Sequence, residues 1–525
     1  MSAALFIAAL AAGAVATSTS AAEDDDAPII IIDDDDPAPA PAEDDAIIVV
    51  GDEDPEEAAP LFSVRARASA YADLRLAVDT SFDLRGEQVG ELWLQGGLVL
   101  EVDLAPGVSV YAAPRLSWAG ALSREGDDRW FLLARAPEAY LSWSRGPVQV
   151  RAGYLVFDWG TSEVIGPIDV LNPPDLRQGL TSLDADYKIP VPAVEAVFTA
   201  GWLTVRGVVE PVFTPGRFFV AGWDGSALQG GLLIGGDTLA NPEVVNPAYI
   251  DRVGDQLLQT ERPSDRPDHA TLGLRATGSF DSVDVSASVV HGWNPFPSVT
   301  VDPNLALVAD AVARARLAGQ APDFGDPALA GALGALQDAV EVDAPLFVGT
   351  YQRRTVVGAD AAWAVDPFIL KVDAAYSSAQ VLYNRLGQAR LSPAVTTVVG
   401  AEYYRGEGLQ IWVEAFWMRF LELDGPGALA YLEPADAEGA KGRGVDVFGA
   451  GAFARGQLLE GDLVLELGAV LTSRRDVALM PRASYQVARG QRVTLGGLLV
   501  EGQVDSVGGA YTHLDQVYLA YRFSY

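Results

Sequence analysis

The chain has no cysteine, only three methionines and only three histidines. The first absence excludes a disulfide framework, a thiolate metal site and a cysteine nucleophile. It suits a protein that crosses an oxidising compartment with no thiols to pair. His269, His291 and His513 lie in or beside predicted strands, and no G-x-S-x-G or comparable nucleophile context accompanies them. A Ser-His dyad or a histidine metal centre is therefore not expected, and no catalytic residue, cofactor or metal is assigned. Positive charge is also scarce: 36 Lys and Arg face 71 Asp and Glu, for a net charge of −35. So acidic a chain has nothing to neutralise phosphates, which argues against a nucleic-acid partner. Beyond the first residues no apolar run approaches the ~20 residues of a transmembrane helix.

Residues 1–22 read as a signal peptide, with an apolar run Ala3 to Ala16 and a small-residue cleavage pattern at Ser20-Ala21-Ala22. The run is too short to span a membrane. Residues 23–61 form a Pro-rich acidic arm with sixteen carboxylates and no Lys or Arg. Like charges prevent collapse, so the arm is expected to be disordered. Two apolar islands interrupt it, Ile29 to Ile32 and Ala46 to Gly51. The second, A-I-I-V-V-G-D-E-D, looks like the energy-coupling box of TonB-dependent receptors, which pairs with a partner by strand addition. Strands starting near Phe62 leave no room for that family's plug domain. A solvated tail and a cation-binding acidic run are the other two readings.

From residue 62 to 525 the chemistry is that of strands. Short turn signals occur at Ala105-Pro106-Gly107, Arg145-Gly146-Pro147, Ala200-Gly201, Asp281-Ser282, Asp366-Pro367, Arg405 to Gly408, Glu460-Gly461-Asp462 and Arg489-Gly490. Longer polar stretches alternate with them, as short inner turns and long outer loops alternate in outer-membrane barrels. Between the turns side chains follow a period of two. Phe368, Leu370, Val372, Ala374 and Tyr376 oppose Ile369, Lys371 and Asp373; Leu463, Leu465, Leu467 and Leu471 oppose Glu466 and Gly468. Val108, Val110, Ala112, Leu116 and Trp118 oppose Ser109, Tyr111, Arg115 and Ser117. A soluble sandwich shows this in a few strands, but so many in series without a linker point to one closed barrel. The expected fold is all-β: a transmembrane antiparallel barrel of about 18 strands (16 to 18), with long outer loops that include a short helical hairpin. Outer-membrane lipid is then the first partner, and the cell outer membrane the location.

The last strand places Val517, Leu519, Tyr521, Phe523 and Tyr525 on one face and Gln516, Tyr518, Arg522 and Ser524 on the other. An alternating strand with Tyr521, Phe523 and Tyr525 at its end resembles the signal read by the barrel-assembly machinery. The stretch Glu138 to Arg177 carries a second resemblance. It holds Glu138-Ala139-Tyr140, a strand ending Gly153-x5-Trp159-Gly160, and Asp169-x2-Asn172-Pro173-x-Asp175-x-Arg177. This pattern is similar to a porin-like outer-membrane β-barrel family of unknown function, whose members are often encoded beside resistance-nodulation-division type exporters. Val356 to Ser378 and Val398 to Val413 resemble that family's later hairpins; the doubled Pro173-Pro174 departs from its pattern. The resemblance implies a barrel in the outer membrane and a periplasmic or inner-membrane transport partner.

Within the barrel, loop 161–190 is the candidate constriction. Arg151, Asp158, Glu163, Asp169, Asn172, Asp175, Arg177 and Lys188 are its candidate residues, with Asp184 and Asp186 beside them. Opposed carboxylates and cations across a wet constriction set up a transverse field that selects permeants; the same groups could instead pair and brace the loop. Arg115, Lys371, Asp373, Glu414, Glu466 and Arg522 are the candidate inner-wall charges, with Tyr111, Trp412, Phe416 and Tyr518 as inner-face aromatics. Asp302-Pro303 and Asp326-Pro327 each supply an N-cap and a first-turn proline for a helix, which makes a lid or a plain surface loop of 294–349. Three functions follow: a porin-like channel for small solutes, an outer-membrane component moving hydrophobic or lipid-like substrates with an inner-membrane exporter, and a plugged structural or adhesive barrel. Homo-oligomers are compatible with each.

Overall fold

The computed structural model describes residues 65–80, 88–123, 129–134, 138–163, 165–177, 187–217, 258–317, 323–342, 344–383, 389–406, 408–422, 445–473, 475–502 and 514–525. The residues read as a signal peptide and as an acidic arm with an energy-coupling-box resemblance lie outside these residues, as do Asp184, Asp186 and His513.

The eight short turn signals each join two neighbouring strands. The first strands are β1 (Arg65–Asp79), β2 (Gln88–Ala105), β3 (Val108–Ala113), β4 (Arg115–Ser123), β5 (Arg129–Ala134), β6 (Glu138–Arg145), β7 (Val148–Leu155), β8 (Val191–Ala200) and β9 (Leu203–Glu210). After β10 (Leu258–Glu261) come β11 (Thr271–Phe280), β12 (Val283–Trp293), β13 (Ser298–Val301), β14 (Phe347–Thr350) and β15 (Arg353–Val365). The chain ends with β16 (Phe368–Tyr383), β17 (Ala389–Arg405), β18 (Leu409–Phe420), β19 (Val445–Leu458), β20 (Leu463–Thr472), β21 (Val477–Ala488), β22 (Gln491–Glu501) and β23 (Gln516–Ser524). Twenty of these segments form one antiparallel sheet, and β23 pairs back onto β1 from Tyr71↔Ser524 to Asp79↔Gln516. The sheet is therefore a closed barrel of 18 strands, because β3 with β4, and β5 with β6, are each one strand interrupted. Pro114 accounts for the first interruption: it has no N–H for the ladder, and β2 pairs with β3 on one side of it and β4 on the other.

The two faces sort as the alternation demands. In β16 Phe368, Leu370, Val372 and Tyr376 are exposed on the outside, while Asp373 between them is fully buried inside. In β23 Val517, Leu519, Tyr521 and Phe523 are exposed and Tyr518 is buried. In β4 Leu116 and Trp118 face out and Ser117 faces in. A belt of large apolar side chains on a sheet without edges is what a bilayer requires of strands, since every backbone polar group is satisfied in the ring. The protein is an outer-membrane β-barrel.

At the end opposite the short turns, β14 pairs in parallel with β10 and antiparallel with β13, a small sheet that the sequence patterning did not indicate. Between β13 and β14 lie α1 (Pro303–Leu317) and α2 (Pro327–Glu341), which pack on each other. Asp302 Oδ1 accepts the N–H of Asn304 at 2.8 Å and Asp326 Oδ1 that of Ala328 at 2.9 Å, so both expected caps are made.

Candidate functional site

After Leu155 the chain does not turn straight into β8, although Leu155 and Val191 are already in register across the two strands. It enters the barrel instead. Trp159, Ile168 and Leu171 are almost fully buried against Val191, Ala193, Val208, Val290, Val356 and Ala375 of the wall. Those wall positions face inward on β8, β9, β12, β15 and β16, where alternation would otherwise place polar groups. The apolar patch inside the barrel and the apolar side of the loop account for each other. Each large side chain so buried contributes roughly 1.5–3 kcal/mol to docking. The wall also leaves space: a Cβ on Gly358 would come within 2.7 Å of Ile168 Cγ1.

Polar anchors fix the loop's far edge. The buried Asp373 carboxylate accepts the N–H groups of Thr161 and Ser162, each at 3.1 Å, and the Thr161 hydroxyl at 2.6 Å. Gly160, with φ of +110°, brings the chain to this carboxylate; a Cβ there would sit 2.8 Å from Asp373 Oδ2. The Glu163 N–H donates to Glu414 Oε1 at 2.8 Å, and Lys371 Nζ lies 3.2 Å from Glu163 Oε1 while also pairing with Glu402. Lys371 and Asp373 thus share the inner wall, as their spacing implied, and each engages the loop separately.

The loop's base is closed by its own residues. Asn172 accepts the Phe157 N–H at 2.6 Å and donates to the carbonyls of Leu155 and Ile189, both at 2.9 Å. Lys188 donates to Phe157 O at 2.8 Å and pairs with Asp158 and, at 2.7 Å, with Asp169. Arg177 holds Asp175 through two contacts, 2.9 and 2.7 Å, and the Asp175 N–H donates to Tyr187 O at 2.6 Å. Burial raises the Glu163 carboxyl above the usual range, Lys371 lowers it and Glu402 raises it further. Burial likewise lifts Asp169 despite Lys188. Burial alone would lower Lys188, but Asp169 and Asp158 outweigh it and hold the ammonium well above its ordinary value.

The structure therefore brings Asp158, Asp169 and Lys188 into one cluster, and Glu163 to the wall residues Lys371 and Glu414. Arg151 stands apart: its Nε is 2.7 Å from Glu195 on β8, and its guanidinium lies 5.4 Å from the Tyr140 ring centre. Arg115 is half-buried at the start of β4, opposite Gly97. Arg522 makes a two-point pair with Asp73 at 2.7 and 2.9 Å, and Glu466 takes Arg482 at 2.5 Å. Sequence reasoning missed the partners Glu195, Glu402 and Asp73, and Asp360, which is 2.8 Å from Arg275. Each sits at an inward position of a strand whose parity was readable, as Glu195 does between Val194 and Ala196. Among the described histidines, His269 Nδ1 lies 3.0 Å from Ser264 Oγ, and the outward-facing His291 Nδ1 lies 2.9 Å from Thr355 Oγ1. No cluster of three metal-ligating side chains occurs among the described residues.

No known family model matches the chain, and no curated protein matches it. Solved structures similar to it include OccK5 (OpdH) of Pseudomonas aeruginosa, at 9% identity over 87% of this chain and 97% of that one, with a TM-score of 0.43. OccAB4 of Acinetobacter baumannii aligns at 8% identity over 88% and 98%, with a TM-score of 0.43. OmpF of Salmonella typhi, solved in complex with daunomycin, aligns at 10% identity over 88% and 98%, with a TM-score of 0.37.

Proposed function

We propose that this outer-membrane barrel is a porin-like channel for diffusion or facilitated transport of small solutes, and that loop 161–190 is its constriction. The observation that carries the reading is the loop's position inside the wall, pinned to β16 by Asp373 and Lys371 and to β18 by Glu414. A segment anchored inside the wall by an ion pair and by hydrogen bonds to buried carboxylates narrows the lumen. The remaining charges on the loop and the inner wall set the field that a solute crosses. No catalytic step belongs to this reading.

The stacked Trp412 and Phe453 rings, 5.6 Å apart on the inner wall, favour a second reading in which the permeant is hydrophobic or lipid-like and an inner-membrane exporter is the partner. Both rings are almost fully buried, so such a ligand would have to displace their neighbours. This places the small-solute channel first.

The test replaces residues 158–188 by a short Gly-Ser linker, which the register of Leu155 and Val191 permits. Single-channel conductance in a planar bilayer should rise severalfold. Unchanged conductance removes the constriction, and a folded wild-type barrel that passes no current removes the channel.

A further inference from the structure

A cavity of about 400 Å³, counting the part open to solvent, lies between the base of the docked loop and the inner wall. Leu171 of the loop, Glu210 of β9, Thr271 of β11 and Arg354 of β15 line it, with the Phe213 and Trp293 rings beside them. Mostly apolar walls with a few convergent polar groups are the make-up of a small-molecule site.

Two opposite charges line this one space, and they do not meet. Glu210 is only 6% exposed. Thr271 stands directly across the ladder from it, and the Thr271 hydroxyl donates to the carboxylate. Glu210 Oε1 nevertheless has no hydrogen-bond partner among the described residues, and no cation there pairs with the carboxylate. Arg354 forms no ion pair among the described residues either; its Nη1 reaches Gln380 Oε1 at 3.5 Å, the long limit of a hydrogen bond. Close by on the same wall opposite charges do pair, Arg151 with Glu195 at 2.7 Å and Arg275 with Asp360 at 2.8 Å. Leaving a buried carboxylate without a cation costs stability. An occupant that carries both a cationic donor and an anionic acceptor would answer Glu210 and Arg354 at once.

We infer that this cavity binds a compact zwitterion with an apolar side chain, an α-amino acid such as leucine. Its ammonium donates to Glu210 Oε1, its carboxylate accepts from Arg354, and its side chain packs against Leu171 and the Phe213 and Trp293 rings. A solute with only one of the two charges leaves the other protein group unmet, which is the arrangement that discriminates most strongly between similar ligands. Because the loop forms one side of the cavity and the wall the other, the occupant also ties the loop to the wall. The site's role as a stop for a permeating solute rests on the channel proposed above; binding itself does not.

Titration calorimetry of the refolded full-length barrel in detergent compares L-leucine with 4-methylpentanoate, which lacks the ammonium, and with 3-methylbutylamine, which lacks the carboxylate. Leucine should bind at least about tenfold more tightly than either, in line with the loss of one hydrogen bond between charged groups. Glu210→Gln should weaken leucine and 3-methylbutylamine by about tenfold and leave 4-methylpentanoate unchanged, and Arg354→Gln should weaken leucine and 4-methylpentanoate and spare the amine. Undetectable leucine binding, an analogue that binds as tightly as leucine, or an equal loss for all three ligands in a variant of unchanged heat-modifiability overturns the site. The wild-type comparison decides the point even where a variant fails to fold. A barrel that binds leucine but passes no current would sink the channel and leave the site standing, whereas a conducting barrel that ignores leucine does the opposite.

Discussion

The wall from β15 to β18 and the wall from β19 around to β1 are neighbours in one ring, and their charges are satisfied in different ways. On the first, Asp360, Asp373, Glu402 and Glu414 are buried and share the inner face with Lys371, Arg354 and Arg390. On the second, Arg482 pairs with Glu466 and Arg522 with Asp73 across neighbouring strands. The first wall has company: backbone N–H groups and a hydroxyl from the loop satisfy Asp373, and Glu163 shares Lys371 with Glu402. The comparison teaches that the same inner-face alternation yields a docking surface where a loop supplies donors, and a set of cross-strand arginine–carboxylate pairs where strands answer one another. A buried carboxylate is tolerable when it accepts several donors.

Removing the donors' target should break the contrast most strongly. Asp373→Ala leaves the Thr161 and Ser162 N–H groups without their acceptor, at about 1.5–3 kcal/mol for each charge-assisted bond lost. Hydrogen exchange at those two amides should speed up by more than about a hundredfold, and current fluctuations should grow. Amides as protected as in wild type would mean that the apolar contacts of Trp159, Ile168 and Leu171 alone hold the loop.

A smaller effect should come from pH. The Glu163 carboxyl is raised in the docked loop, so docking takes up a proton: it is favoured as pH falls below the shifted value and weakens as pH rises through it. Lys188, held high by Asp169 and Asp158, stays protonated and adds no change near neutrality. Noise in single-channel records should therefore increase from acidic to neutral pH, and Glu163→Gln should flatten that dependence. A steeper profile in the variant would contradict the assignment.

The smallest effect is expected on the outer face where the two walls meet. Arg419 and Asp446 lie 3.5 Å apart with side chains 44% and 36% exposed. Screening by solvent leaves such a pair worth about 0.5 kcal/mol or less. Arg419→Ala should leave the urea midpoint of the barrel essentially where it is, whereas a large shift would show that the outer rim, and not the lumen, carries the difference between the walls.

Much of the fold was legible because lipid and lumen impose opposite demands on alternate residues. Phe368 to Tyr376 and Val517 to Phe523 could be assigned to faces from spacing alone, and turns such as Arg145-Gly146-Pro147 marked the hairpins. What lay hidden was pairing across strands distant in sequence. Lys371 and Asp373 read as an inner-wall cation and anion side by side, yet their partners come from residues 161–163 and from Glu402, which no local period links to them. Where Val208, Val290 and Val356 depart from polar-in alternation, the sequence did hold a sign of the docked loop, since an apolar inner face needs something to cover it. The sheet of β10, β13 and β14 left no comparable trace, because four-residue strands are too short to show a period.

The seam between β1 and β23 has a consequence for how the molecule comes into being. Ala70 and Tyr525 exchange both backbone hydrogen bonds, and Arg522 meets Asp73 across 449 residues of chain. Contacts of such sequence separation form late, because the entropy of closing so long a loop precedes any reward. Until that moment two bare strand edges face outward, each able to template a foreign strand. The ring is thus an all-or-none object whose most vulnerable state is the nearly finished one.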